Sequence, residues 1–125
     1  MRYVAILLAV TGSLCACSPG TGGGARPQRN VITAEEIAAA NVTYAYEAVE
    51  HLRPQWMTPR PSRLVTDATP LVPVVFLDDT YYGDLNELWT IAVSEIKEIR
   101  FLDDREAVYR YGTTYNSGII QVIRR

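Results

Sequence analysis

Asp78 and Asp79 are adjacent carboxylates in a chain otherwise poor in reactive groups. Two acids serve acid–base hydrolysis or cation binding when both side chains reach one point. Here they follow Val72 to Leu77, an apolar run with the length and residue types of a strand. Neighbouring strand residues project to opposite faces, so the two carboxylates are expected to diverge. Turn chemistry accounts for them better, with a wide turn over Asp79-Thr-Tyr-Tyr-Gly83. His51 is the only histidine; it falls near the charged face of a helical pattern, which gives it a solvated or structural role. No serine–histidine–aspartate set, zinc-ligand cluster, phosphate-binding glycine loop or reactive thiol motif is written in the chain. The expectation is a non-catalytic protein without metal or cofactor.

Recognition chemistry is left to the tyrosines. The chain has eight of them against two phenylalanines, and Tyr81, Tyr82, Tyr109, Tyr111 and Tyr115 crowd its C-terminal part. Phenol rings stack on sugars and on iron chelates. Tyr81, Tyr82 and Tyr115 are the candidate ligand-binding residues. Their competing role is structural, as core and rim rings of a small domain short of phenylalanine.

The two cysteines sit at positions 15 and 17. As a metal site they would have only His51 to complete them. The residues before them read as an export signal. Arg2 and the amino terminus are positive, and Tyr3 to Leu14 is apolar. That run is too short to span a bilayer, which takes about 20 residues, and suits the core of a signal peptide. Leu14-Cys15-Ala16-Cys17 resembles a lipobox, apolar at the first position and small before the cysteine. Cys17 is therefore the expected lipidation site; an ordinary secretory signal is the alternative. Cleavage there removes Arg2 and moves the formal charge from −2 to −3. Acyl chains then hold the protein to a membrane at about 0.8 kcal/mol per buried CH₂. Ser18 after the cysteine favours the outer membrane, with the domain in the periplasm.

The domain plan follows: residues 1–16 signal peptide, 17–30 a Gly/Pro-rich tether, 31–125 one folded domain. About 95 residues suffice for one marginal core. The mild charge argues against nucleic acid. Thr33-Ala-Glu-Glu36 is a capping box opening a helix that Ile37, Tyr44, Ala45, Ala48, Val49 and Leu52 carry on one face until Pro54. Asp84-Leu-Asn-Glu87 signals a second helix, with Leu85, Leu88 and Trp89 as its apolar face. Ile96 to Leu102 alternates as a strand. Asp103 or Asp104 caps a third helix ending at Gly112, and Ile119 to Ile123, apolar on both faces, is an interior strand. The fold class expected is α+β: a mixed sheet of three to four strands covered by about three helices, with right-handed strand–helix–strand units placing helices on one side.

This ordered series resembles the plug domain of TonB-dependent outer-membrane receptors. The carrying residues are Leu52-Arg53-Pro54, the apolar strand ending at Asp78-Asp79, Glu95-Ile-Lys-Glu-Ile-Arg-Phe-Leu102, Tyr111-Gly112 and Gly118-Ile-Ile-Gln-Val-Ile123. The likeness runs from about Ile32 to Arg124, weakest between Gln55 and Leu71. The family pattern has Asp-Gly where this chain has Asp78-Asp79. A barrel of about 22 strands, at about 10 residues each, is not encoded after Arg125. The resemblance implies a plug without its receptor: a lipid-anchored interaction module that docks on an outer-membrane or periplasmic protein partner. The alternative is a periplasmic binder of a sugar or iron chelate working through its tyrosines.

Overall fold

The computed structural model describes residues 28–62, 66 and 69–125. Cys17, the signal peptide and nearly all of the tether lie outside the described residues. The described chain is an α+β domain around one five-stranded sheet. Strand β1 is Val31–Thr33, β2 Val74–Leu77, β3 Thr80–Gly83, β4 Ile96–Leu102 and β5 Ile119–Arg124. Helices α1 (Ala34–Ala40), α2 (Ala45–Leu52) and α3 (Asp104–Tyr111) cover it, with 3₁₀ turns at Pro54–Trp56, Leu85–Thr90, Val93–Glu95 and Thr113–Tyr115. The strand order is β1-β4-β5-β2-β3, with β5 in the middle. β5 pairs parallel with β2 and antiparallel with β4, and β1 and β3 are antiparallel edges.

Two of the five strands, β1 and β3, come from segments that the sequence assigns elsewhere. Val31–Thr33 pairs with Glu98–Arg100 immediately before the helix cap. Thr80–Gly83 is a strand and not part of a wide turn. Asp78 takes φ 56°, so Asp78-Asp79 alone closes a tight hairpin with Leu77 opposite Thr80. Aspartate tolerates this left-handed backbone, and the adjoining Tyr-Tyr pair favours a pleated strand.

The capping box at Thr33 forms as its residues dictate. The Thr33 hydroxyl accepts from the Glu36 N–H at 3.3 Å, and the Glu36 carboxylate accepts from the Thr33 N–H at 3.0 Å. The single helix expected from Thr33 to Leu52 is broken in two. Asn41 ends α1 in the left-handed region, φ 52° and ψ 48°, and Tyr44 is extended. Glu47 then accepts from the N–H groups of Thr43 and Tyr44 at 2.8 and 3.2 Å and starts α2. Arg53 joins the two helices through Glu36 at 3.1 Å. The 85–90 segment is a 3₁₀ helix whose Asp84 makes no side-chain cap.

Alternation along the strands divides the core. Val75, Ile99, Ile120 and Val122 face α1, α2 and Leu88 on one side of the sheet. Phe76, Leu102 and Ile119 face Ala107 of α3 on the other. Each such aliphatic side chain, fully buried, contributes roughly 1.5–3 kcal/mol. The helices therefore lie on both faces. β4 and β5, joined through α3, are antiparallel neighbours, and the handedness rule governs only parallel crossovers. A register shift between Ile96 and Glu98 lets Ile96 and Ile99, three residues apart, bury in the same core. Trp56 tucks back as its neighbourhood suggests, buried and stacked on Phe101 at 5.5 Å.

Candidate functional site

The candidate tyrosines separate. Tyr81 and Tyr115 come together on the α3 face of the sheet, with ring centroids 6.4 Å apart. Both lean on Phe76, at 6.0 and 5.1 Å, each nearly perpendicular to it. Tyr111, from the end of α3, completes the group 4.6 Å from Phe76. Tyr82 follows Tyr81 on an extended strand and therefore turns to the opposite face. Its hydroxyl lies 3.0 Å from the Thr90 hydroxyl. Thr90 already donates to the Glu87 carbonyl at 2.7 Å, so Tyr82 is the donor of that pair. Tyr109 projects outward, 91 % exposed, and joins neither group.

The Tyr81–Tyr115 group is thus a small second core with an exposed margin. Edge-to-face packing is the preferred aromatic geometry, and here it turns the rings toward each other. Beneath them lies a polar network. Gln121 points from the middle of β5 and is 4 % exposed. Its amide nitrogen donates to the Asp78 carbonyl, to the Asp79 carboxylate at 3.2 Å and to the Tyr111 hydroxyl at 3.3 Å. Tyr111 in turn donates to Asp79 at 2.9 Å. Burial, then the hydrogen bond and charge of Asp79, push the Tyr111 phenol above its ordinary pKa.

The adjacent acids diverge, as the two residues of one tight turn, with Asp78 in the left-handed region. Asp79 serves that network, whereas Asp78 turns to Arg124, accepting from its N–H and its guanidinium, each at 3.1 Å. The Arg124 N–H is the main reason the Asp78 carboxyl is held below its usual range. Among the described residues no group of three or more metal-ligating side chains gathers. None of their helices is long and apolar enough to cross a membrane.

A different aromatic surface was hidden by helical periodicity. Trp89, read as part of an apolar face, is 44 % exposed. Only Leu88 of that turn is fully buried. The Trp89 indole lies flat on Tyr46 of α2, with centroids 4.4 Å apart and planes 16° apart. Tyr44, 40 % exposed, meets Trp89 edge-on at 6.0 Å. Tyr44 reaches the surface because the break at Asn41 resets the helix: Ala45, Ala48 and Val49 face the core, and Tyr46 stays half-buried against its margin. Seen only as a sequence, one continuous helix assigns Tyr44 to the core stripe.

No protein-family model, curated protein or solved structure matches this chain.

Proposed function

We propose that this chain is a lipid-anchored envelope protein whose plug-like domain acts as a non-catalytic interaction module at the outer membrane. The observation that carries the reading is the distribution of its aromatic residues. Tyr44, Tyr81, Tyr82, Trp89 and Tyr109 are all exposed, although the domain has just two phenylalanines for its core. Exposed aromatic rings are the residues that dominate protein recognition. Tyr81 packs on Phe76 and Tyr115 at the β2–β3 hairpin, and Trp89 packs on Tyr44 and Tyr46 beside α2; exposed rings already packed on one another suit a macromolecular partner better than a small ligand. The alternative, a sugar or iron-chelate binder, asks Tyr81, Tyr82 and Tyr115 to converge, and Tyr82 turns to the far side of its strand. The anchor at Cys17 and the outer-membrane address belong to the proposal and rest on the lipobox likeness.

The test is a crosslinking pull-down of the full chain from outer-membrane fractions, with Cys17→Ala as the control. A barrel or other envelope protein captured only by the anchored form supports the module. Recovery of the protein alone, under conditions that trap known envelope complexes, sinks it and brings the small-ligand reading forward.

A further inference from the structure

We infer that the outer edge of β3 receives a short added strand from a partner protein, and that this strand carries lysine or arginine at its ends. The inference rests on the interaction-module reading and names its surface. β3 ends the sheet, so it is paired on one side only, with β2. The direction of its remaining groups follows from the ladder. Val74 and Asp78 donate their N–H groups to the Gly118 and Val122 carbonyls, on the β5 side, at 3.3 and 2.8 Å. Backbone groups alternate sides along a strand, so Phe76, midway between them, also bonds toward β5. Tyr81 lies opposite Phe76 in a pair that exchanges no hydrogen bonds, and its N–H and C=O therefore point outward. Neither has a partner among the described residues.

The other edge of the sheet is closed by its own chain. The Val31 N–H donates to the Gln28 carbonyl at 3.1 Å, and the Val31 carbonyl accepts from Arg53 at 3.5 Å. The Thr33 N–H donates to Glu36 at 3.0 Å. β3 has no such cover, and its Thr-Tyr-Tyr-Gly sequence holds none of the charges or prolines that keep edges apart. The register shift between Val75 and Phe76 leaves Tyr82 with no residue opposite, which interrupts the edge after Tyr81 and keeps the added strand short. An N–H and a C=O left open side by side on extended backbone are matched by another extended backbone; a helix has spent its own groups internally. Tyr81 and Tyr82, exposed on opposite faces, flank the seam and offer side-chain contact on both.

Charge selects the ends of that strand. Residues 64 to 96 contain no lysine or arginine, and Asp78, Asp79, Asp84 and Glu87 bracket β3. Arg124 answers Asp78. Asp79 is exposed and its partners, Tyr111 and Gln121, are uncharged. Asp84 is exposed, makes no helix cap, and has no ion pair with the described residues. A second copy paired antiparallel about Tyr81 would set Asp84 opposite Asp78 at both ends, and like charges facing across strands repel. A partner strand with cationic ends meets an acid at each end instead.

The experiment titrates the full chain in detergent against a fluorescent peptide of alternating valine and threonine between lysine ends. The peptide is N-methylated along one backbone edge, so that it cannot stack on itself. Matched peptides are methylated along both edges or carry glutamate ends. Saturable binding of the first, weakened about tenfold or more by the second methylated edge and by glutamate ends, is the expected result. Tyr81→Pro removes the outward N–H, whereas Tyr81→Ala removes the ring and keeps it. Proline should weaken binding about tenfold more than alanine does. Asp84→Lys should turn the preference toward the glutamate-ended peptide, a reversal that misfolding cannot imitate. Equal binding of the singly and doubly methylated peptides, equal effects of proline and alanine, or no saturable binding overturns the proposal. So does sedimentation that shows a dimer lost in Tyr81→Pro while no peptide binds, which makes a second copy the occupant. Repeating the envelope pull-down with Tyr81→Pro separates the two readings. A partner captured by the wild type alone supports both. A partner captured by both forms leaves the module standing and removes this edge; no partner for either form removes the module itself.

Discussion

Replacing Tyr111 by phenylalanine removes one oxygen and leaves in place the ring that packs on Phe76. Gln121 is not orphaned, because its amide keeps the Asp78 carbonyl and the Asp79 carboxylate. The loss is the phenol–carboxylate bond to Asp79. A hydrogen bond to a charged group is worth about 1.5–3 kcal/mol in a protected site. Asp79 is exposed, so Tyr111→Phe should cost about 1 kcal/mol near neutral pH. In a domain of this size that lowers Tm by about 4–8 °C. The pH dependence makes the attribution specific. Burial first, and Asp79 second, raise the folded-state pKa of Tyr111 above its ordinary value of 10.0. The folded protein thus holds this proton more tightly than the unfolded chain. Its contribution is complete below about pH 10 and is lost as pH rises through the raised folded value. Urea unfolding followed by circular dichroism, from about pH 7 to about pH 11, should show the wild-type advantage over Tyr111→Phe shrinking only on the alkaline side. A double-mutant cycle with Asp79→Ala should return a coupling of about 1 kcal/mol at pH 7. An advantage that stays constant across the alkaline limb, or a coupling near zero, refutes the reasoning.

Gly118→Ala should cost about 2–4 kcal/mol in the same urea assay. The residue has φ +90°, and an added Cβ would meet the Leu102 carbonyl at 3.1 Å and the Phe101 ring at 3.3 Å. Ile99→Ala, at a fully buried position beneath the helical layer, should lose about 2–5 kcal/mol with no change in m-value. Asp78→Asn should flatten the acid limb of stability. The Asp78 carboxyl is held low by the Arg124 N–H, so its contribution is present above about pH 4 and disappears as pH falls through the lowered value. Acid titration of both proteins by circular dichroism checks this, and parallel acid limbs would contradict it.

The α+β class, the caps at Thr33 and Asp103, the interior character of β5 and the divergence of Asp78 and Asp79 were all legible, because each depends on residues close in sequence. Asp103 accepts from the Glu106 N–H at 2.8 Å, as its place before the helix requires. What stayed hidden depends on partners far along the chain. Val31–Thr33 is too short to show alternation, and pairing with β4 makes it a strand. The Asn41 break is invisible to apolar spacing, because Ile37 and Ala45 belong to the same core whether one helix or two carry them. Thr80–Gly83 carried a turn composition that a tight hairpin overrode. The Tyr81–Tyr115 pairing was half legible: both tyrosines were named, but Tyr111 as their third member needs the end of α3 placed over β2. Trp89 shows the limit of a hydrophobic residue as a burial signal. A large aromatic side chain at helical spacing reads as core, and only the shallow 3₁₀ path of residues 85–90 sends it outward.

The place of β5 in the sheet bears on when the domain can form during its own synthesis. β5 is the last of the five strands in chain order, yet it lies between β4 and β2. Until it emerges, the β1–β4 pair and the β2–β3 hairpin have no common neighbour and remain two unfinished fragments. At about 5–20 residues per second, β1 waits several seconds for the strand that joins the halves. Throughout that interval β4 and β2 each offer an open edge to any other extended chain. The nascent protein is therefore held in a threadable, unlocked state until its final strand is made, and is most in need of a chaperone just before it becomes able to close.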